Sequence, residues 1–317
     1  MYYFTKKQKG EKVDANLNKY YGWLPDYPDF RDYTLLNTAV SLKSTRSGVR
    51  NSVNNMAQKI GITGVGQKKL PSKVDLRKWC SPIEDQGQIG SCTANAAAGL
   101  IEYFEKKAFG SYVNCSRLFL YKATRNLLQK TGDYGAYIRT TMMAMVLFGI
   151  PPEKYWKYDI EKFDEEPEAF CYSYAQNYQA AQYFRLDPEG IKKEDLLEQI
   201  KINIAAMVPS MFGFTVYGSI AYAGENEGKI PFPSETDKVE GGHAVSAVGF
   251  DDGIIIKNIN GDFETKGALL IRNSWGPDWG DKGYGWLPYE YILKGLAVDW
   301  WTILENEWIE TGNFKLG

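Results

Sequence analysis

The 317-residue sequence contains only one histidine and four cysteines. Four cysteines are too few for a disulfide scaffold of this length, and Cys80, Cys92, Cys115 and Cys171 lack the paired spacing of a zinc site. A histidine-rich metal centre is excluded because His243 is the only imidazole. We therefore predict no bound metal and no other cofactor. Any acid–base chemistry near neutral pH must use His243.

The sequence also lacks a long apolar run and an excess of positive charge. Its longest apolar stretches, such as Met142 to Ile150, are too short to cross a bilayer. No charged start followed by an apolar core is present, so cytoplasmic localisation is the default expectation. The net charge of −2 provides no basic surface for DNA or RNA. We expect neither a membrane nor a nucleic acid as partner.

Charge and composition set the first 69 residues apart. Residues 1–69 contain 12 Lys or Arg and 5 Asp or Glu, a net of +7 that leaves −9 for the remainder. Residues 20–36, here called the strap, mix aromatics with prolines and aspartates, which favours extended chain. Residues 43–69 have the composition of a flexible linker. We interpret residues 1–69 as an arm held partly by charge against an acidic body; a basic soluble tail is the alternative.

Hydrophobic periodicity divides residues 70–317 into a helical part and a strand-rich part. Ser91 is predicted to cap a helix that begins at Cys92 and ends before Gly110. Further helices are predicted over residues 117–128, 140–147 and 193–204. Strands are predicted over residues 206–208, 243–250, 253–256 and 267–272. This order indicates an α+β fold with a helical lobe at about 70–183, a β lobe at about 184–317, and a cleft between them.

Cys92 and His243 are the first candidates for catalytic chemistry. A thiol in the first turn of a helix lies in the partial positive charge of the helix N-terminus, which favours the thiolate. Gln86 can donate a hydrogen bond beside this thiol, together with the Cys92 backbone N–H, as an oxyanion hole requires. His243 stands at the start of an apolar strand, from which it can project into a cleft. Taken singly, a buried thiol and a packed imidazole are the plain structural alternatives.

The segment Arg-Asn-Ser-Trp-Gly at residues 272–276 supplies a third group. Asn273 can accept a hydrogen bond from the far imidazole nitrogen and so hold the ring. Trp275 can shield that hydrogen bond from water, which strengthens it. A purely structural turn rich in Gly and Trp is the alternative interpretation.

These segments resemble the three signatures of papain-family cysteine peptidases: Gln86 to Cys92, His243 to Gly249 and Asn273 to Gly276, in the family's order. His243 and Asn273 lie 151 and 181 residues after Cys92, somewhat beyond the family's usual spacing of about 130–150. The resemblance covers about residues 70–304. It implies a papain-like two-lobe fold, with a helical lobe and an antiparallel β-barrel-like lobe on either side of the active-site cleft.

The resemblance implies a catalytic role for four residues and a supporting one for Trp275. Cys92 would attack a peptide carbonyl, while Gln86 and the Cys92 N–H hold the oxyanion. His243 would protonate the leaving amine and later activate water, and Asn273 would orient its ring. Polypeptides are the implied substrates. Endopeptidase activity is expected, because a chain with one histidine cannot build a two-histidine occluding loop.

The resemblance also implies which residues bind substrate. The segment 135–138 would pair with the substrate backbone. Ile138 and Ala244 would line the pocket for the second residue upstream of the cut, where we expect an apolar preference. The substrate-binding residues are thus expected to be Gly135, Ala136, Ile138, Gly242 and Ala244.

The loop before Cys92 departs from the family pattern. The family commonly has a cysteine three residues before the nucleophile and a tryptophan directly after it, where this chain has Ile89 and Thr93. Residues 132–137, which usually carry the cysteine's partner, contain no cysteine either. Because both halves of the disulfide are absent together, we expect Ile89 to brace the loop by packing.

Family members usually carry an inhibitory N-terminal pro-segment, and we predict that residues 1–69 are one. The strap would block the cleft, and cleavage between Lys43 and Leu70 would release it. Two alternatives stay open. The chain could be a papain-fold binding protein whose cleft is permanently occupied, or the same Cys–His pair could catalyse acyl transfer.

Overall fold

The structure is a computed structural model that describes residues 21–29, 32–34, 57–62, 70–180, 182–258 and 263–314. The start of the predicted arm and most of the predicted linker lie outside these residues. The described part of the linker, residues 57–62, contains a helical turn with buried Ala57, Ile60 and Ile62. This short stretch therefore packs against the body.

The first half of the body is helical, as predicted. Its helices are α1 (Cys92–Phe109), α2 (Arg117–Leu127), α3 (Ile138–Leu147) and α4 (Ala169–Ala175). Helix α1 is rich in alanine and buried on almost every side, and it ends at Gly110 in the left-handed conformation with φ 78°. Ser91 occupies the predicted N-cap position of α1. The Ser91 side chain makes no cap hydrogen bond, and its Oγ lies 2.6 Å from the Tyr158 hydroxyl instead.

The second half is built on an antiparallel sheet. Its strands are β1 (Lys73–Asp75), β2 (Gln182–Arg185), β3 (Ser210–Tyr217), β4 (Val239–Lys257), β5 (Glu264–Arg272), β6 (Tyr284–Pro288) and β7 (Ala297–Leu304). The strand order is β2-β7-β3-β4-β5-β6, with β1 paired to β4. Within the described ranges the two edge strands do not pair with each other, so the sheet is open and only loosely barrel-like. Helices α5 (Lys193–Ala205), α6 (Glu290–Leu293) and α7 (Asn306–Glu310) complete this half.

Two strand predictions differ from the structure. Residues 206–208 do not form a strand; they turn out of α5, with Met207 at a left-handed φ of 62°. Their backbone N–H groups bond to carbonyls at the end of α5, so the strand begins only at Ser210. Residues 243–250 and 253–256 belong to one long strand, β4. Its register against β5 shifts at residues 251–255, where the turn residues produce a bulge rather than a reversal.

The two halves share one hydrophobic core. Helix α1 packs on β4, so the helix that begins at Cys92 lies against the strand that carries His243. A smaller cluster joins α2 and α4. None of the helices within the described ranges is long and apolar enough to span a membrane.

Candidate active site

Cys92 is completely buried at the first position of α1. The strap residue Gly22 covers it, and passes so close to Gly90 that a Cβ on Gly22 would lie 1.9 Å from the Gly90 carbonyl oxygen. Burial raises the pKa of the Cys92 thiol to about 11. Hydrogen bonds with the backbone of Gly22, Ala244 and the first turn of α1 oppose this rise without cancelling it. With the strap in place, burial thus outweighs the helix N-terminus, and the thiol stays protonated at neutral pH.

His243 is held by the two residues predicted to hold it. Its Nε2 lies 2.8 Å from Asn273 Oδ1, and its ring stacks on Trp275 with centroids 4.6 Å apart and an interplanar angle of 29°. Asn273 Oδ1 also accepts the Ser274 backbone N–H at 2.8 Å, so Oδ1 is an acceptor and Nε2 is the donor. In the neutral ring, Nδ1 then carries the lone pair that a base needs.

Gln86 connects the Cys92 loop to the Asn273 segment. Its side-chain Nε2 donates to the Ile89 carbonyl oxygen at 2.9 Å, and its Oε1 accepts from Ser274 Oγ at 2.6 Å. The Gln86 backbone N–H donates to the Ser274 carbonyl oxygen at 2.8 Å. The Tyr158 hydroxyl, 3.0 Å from the Gln86 carbonyl oxygen, adds a further link. The carboxamide is therefore fixed in orientation beside the loop that leads to Cys92.

The loop before Cys92 is braced by a carboxylate that sequence reasoning missed. Ile89 is buried, as expected. In addition, Asp133 Oδ1 accepts the Gly90 backbone N–H at 2.8 Å and the Tyr121 hydroxyl at 2.5 Å. Asp133 thus joins the two segments that a disulfide commonly joins in the family that this chain resembles. The presence of the acidic residue Asp133 in the segment that lacks a cysteine was the sequence signal that could have predicted this contact.

The strap pairs with residues expected to bind substrate backbone. The Ala136 N–H donates to the Gly22 carbonyl oxygen at 2.8 Å, and the Leu24 N–H donates to the Ala136 carbonyl oxygen at 3.0 Å, forming a parallel bridge. The Trp23 N–H donates to the Gly242 carbonyl oxygen at 3.2 Å. The strap therefore occupies backbone groups on both sides of Cys92.

The remaining expected substrate-binding residues are Gly135, Ile138 and Ala244. Gly135 has a left-handed φ of 81°, and a Cβ there would lie 2.3 Å from the Gly22 carbonyl oxygen. Ile138 begins α3 and Ala244 follows His243 on β4, and both are buried. The Trp23 indole enters the body next to Gly213 and reaches Asp299. Sequence reasoning missed both of these residues, although a glycine inside a strand signals close approach of another group.

Ion pairs hold the strap beyond the cleft, with acidic residues on the strap and basic residues on the body. Arg139 of α3 pairs with Asp26 and, at 2.8 Å, with Asp32. Arg185 of β2 lies 3.6 Å from Asp32, and its backbone N–H donates to the Tyr33 carbonyl oxygen at 2.7 Å. The described strap thus presents acids to basic residues of the body. Apart from Lys59, the arm's own basic residues lie outside the described ranges.

Comparison with known proteins gives consistent matches. Residues 70–292 match the papain family of cysteine proteases. A peptidase C1-like protein of Acanthamoeba polyphaga mimivirus is 32% identical over 296 residues, 92% of this chain and 88% of the viral protein. The structure of xylellain, a cysteine protease from Xylella fastidiosa, is 32% identical with a TM-score of 0.65, covering 92% of this chain and 98% of that one. A ragweed cysteine protease solved in its proform shares the fold at 22% identity and a TM-score of 0.54, over 76% and 67% of the two chains.

Proposed function

This chain belongs to the papain family of cysteine peptidases, and on that basis we propose that it is the precursor of a thiol endopeptidase whose strap blocks the cleft until it is removed. One observation carries the proposal. Gly22 to Leu24 form backbone hydrogen bonds with Ala136 and Gly242 directly over the buried Cys92. A peptide substrate needs the same backbone groups, so strap and substrate cannot bind together.

The arrangement around His243 suits proton transfer to and from the thiol. The Nε2–H bond to Asn273 leaves Nδ1 as the basic nitrogen, and the stacked Trp275 limits water around that bond. In the open cleft, His243 would take the Cys92 proton. The resulting imidazolium and the helix N-terminus would then stabilise the thiolate.

Peptide hydrolysis would proceed in two stages. The Cys92 sulfur attacks the peptide carbonyl, and the oxyanion accepts hydrogen bonds from the Cys92 N–H and the Gln86 carboxamide. The imidazolium gives its proton to the leaving amine, which departs and leaves a thioester. His243 then removes a proton from water, the hydroxide attacks the thioester, and the carboxylic acid leaves as the thiol is restored.

The contacts of Gln86 support its proposed role. The Gln86 carboxamide NH2 donates to the Ile89 carbonyl oxygen beside the loop that leads to Cys92, and the proposal assigns to the same NH2 a hydrogen bond to the oxyanion. Ser274 Oγ holds the opposite end of the amide, so the donor would need little reorganisation during the reaction.

The strap would block the reaction in two ways. It occupies the backbone groups that a substrate needs, and it keeps Cys92 away from water. Because burial raises the pKa of Cys92 to about 11, the reactive thiolate is scarce at pH 7 while the strap is bound. Removing the strap would therefore supply both a free cleft and an ionisable nucleophile.

The test compares three forms of the protein under reducing conditions: the full-length chain, the same chain cut within residues 43–69, and a chain beginning at Leu70. An unfolded protein serves as substrate, and Cys92→Ala is the matched inactive control. We expect hydrolysis only by the cut and shortened wild-type forms. Turnover by Cys92→Ala would contradict the assigned nucleophile. No hydrolysis by any form, with Cys92 also unreactive toward a thiol-directed epoxide, would favour the binding-protein alternative.

A further inference from the structure

The side chain of Trp23 fills a pocket shaped for a two-ring aromatic group. A Cβ on Gly213 of β3 would lie 1.8 Å from Cε2 and 2.2 Å from Cδ2, the atoms that join the two indole rings. A Cβ on Gly242 of β4 would lie 2.7 Å from Cε3 on the six-membered ring. The indole is buried, with 4% of its residue surface exposed. The absence of two side chains thus creates a flat slot that matches the indole.

A carboxylate forms the inner end of this slot. The Trp23 Nε1–H donates to Asp299 Oδ2 at 3.1 Å. The other oxygen, Oδ1, accepts from Trp301 Nε1 at 2.7 Å and lies 3.4 Å from Arg185 Nη1. Asp299 is fully buried on β7 at a left-handed φ of 62°, and its backbone N–H donates to Asp187 Oδ2 at 2.8 Å. Its orientation is therefore fixed before a ligand arrives, and Oδ2 is the oxygen it presents to the slot.

We propose that this slot selects peptide substrates with an indole side chain, and that Asp299 determines the preference by accepting the indole N–H. The proposal rests on the proposed function, because it takes Trp23 to occupy the position of a substrate side chain. It replaces the expected purely apolar preference with one for an aromatic ring that carries a hydrogen-bond donor. An apolar ring without a donor would leave Oδ2 unpaired in a buried site, which is costly.

The charges around Asp299 favour a neutral donor over a cation. Arg185 already supplies a guanidinium beside Oδ1, so Asp299 has a cationic partner before any ligand binds. Burial raises the pKa of Asp299 to about 7, which reduces its negative charge near neutral pH and weakens attraction for a cation. An indole N–H needs only an acceptor oxygen. Arginine- and lysine-containing peptides are therefore expected to bind less well than tryptophan-containing ones.

The experiment uses the chain with Trp23→Ala, which empties the slot, cut within residues 43–69 so that the strap can leave the cleft. Three peptides differ at a single position, which holds tryptophan, arginine or 3-(3-benzothienyl)alanine. In the last of these, sulfur replaces the indole N–H. Two measurements are made: kcat/KM for cleavage, and protection of Cys92 from iodoacetamide by the peptide. We expect the tryptophan peptide to exceed the benzothienyl peptide by roughly 10- to 100-fold in both.

Adding Asp299→Asn tests the acceptor. Asparagine tolerates the left-handed backbone and keeps the side-chain shape, but it replaces one acceptor oxygen with an NH2 group. The preference for tryptophan should fall to within about threefold of the benzothienyl peptide, with little change for the latter. Gly213→Ala tests the shape independently of Asp299, because it should weaken both two-ring peptides and spare one that carries valine.

The outcomes separate this proposal from the function on which it rests. Cleavage with equal rates for tryptophan and benzothienyl peptides would overturn the indole preference and leave the peptidase intact. A preference for arginine would overturn it as well. Protection of Cys92 by the tryptophan peptide alone, without cleavage of any peptide, would support the slot and overturn the peptidase assignment.

Discussion

Two parts of the strap are held against the body by different forces. Tyr21 to Leu24 lie in the cleft, where backbone hydrogen bonds and a buried indole hold them. Asp26 and Asp32 lie farther along the strap and are held by ion pairs, chiefly with Arg139, whose side chain is 24% exposed. Buried apolar contacts depend little on salt, whereas partly exposed ion pairs are screened by it and contribute less. Inhibition should therefore depend mainly on the cleft part.

The two parts also differ in their relation to function. The cleft part covers Cys92 and occupies the backbone of Ala136 and Gly242, so under the proposed function a substrate would have to displace it. The ion pairs with Arg139 lie on α3, outside these contacts. They can hold the strap near the cleft without determining what binds there. Substitutions that weaken one part at a time should show how much each part contributes to covering Cys92.

The largest expected effect comes from removing the whole strap by cutting the linker. With the strap bound, burial raises the pKa of Cys92 to about 11, so the thiolate is scarce at pH 7. Removal restores hydration, and the pH midpoint for alkylation by iodoacetamide should move down by at least two units. The alkylation rate at pH 7 should rise on the order of 1,000-fold.

Cys92→Ser measured in parallel corrects for the three other cysteines, which are all buried. Because the thiolate is the reactive form, the alkylation rate rises with pH until the thiol is fully ionised. Alkylation of the intact chain should still be rising at pH 10, whereas the cut chain should have reached its plateau. An unchanged midpoint after cutting would mean that the strap does not cause the raised pKa.

The second effect is that of Trp23→Ala in the intact chain. Truncating a buried tryptophan costs about 3 kcal/mol or more, which corresponds to an opening equilibrium shifted on the order of 100-fold. The Cys92 alkylation rate at pH 7 should rise by that factor. Tyr27→Ala is the matched control, because Tyr27 is an aromatic residue of the same strap with 80% of its surface exposed. Equal effects of the two substitutions would contradict the anchoring role of the indole.

Gly22→Ala should have the third effect, through the backbone rather than a side chain. The added Cβ would lie 1.9 Å from the Gly90 carbonyl oxygen, a distance that forces strap and loop apart. We expect at least tenfold faster alkylation of Cys92 with no loss of thermal stability in the body. Gly224→Ala is a suitable control, because an added Cβ there meets no atom within 4 Å. An unchanged alkylation rate would show that the strap can bind without this close approach.

The contact between His243 and Asn273 could be predicted from the sequence, because the chemistry expected of them needs particular residue types, whereas their catalytic roles stay predictions. Only Cys92, His243 and Asn273 combined a nucleophile, a base and an orienting amide in the expected order, and the structure brings the latter two within 2.8 Å. The helices were also predictable, since their apolar periodicity is strong. The prediction of a strand at 206–208 was wrong, because a short apolar run does not reveal that the N–H groups of these residues bond to carbonyls of the preceding helix.

What could not be predicted depends on contacts between distant segments. Asp299 lies 276 residues after Trp23, and no local pattern pairs them. Asp133 likewise acquires its bracing role only when its loop reaches Gly90. The total charges of arm and body do not indicate the polarity of the ion pairs in the described strap, because ion pairs depend on neighbouring side chains rather than on sums.

This polarity leads to the smallest expected effect, that of Arg139→Gln. The substitution removes the ion pairs of Arg139 with Asp26 and Asp32, but it leaves Arg185 near Asp32 and the contacts of Trp23 unchanged. Because partly exposed ion pairs contribute about 1 kcal/mol, Cys92 alkylation at low salt should rise by roughly three- to tenfold. In 1 M NaCl the alkylation rate of the wild-type chain should approach that of the variant, since salt screens the pairs.

Lys192→Gln is the matched control. It removes the same charge from an exposed side chain and should change the alkylation rate neither at low salt nor in 1 M NaCl. A salt-independent difference between Arg139→Gln and wild type would mean that Arg139 acts through packing, including its position 5.6 Å above the Trp301 ring, rather than through charge.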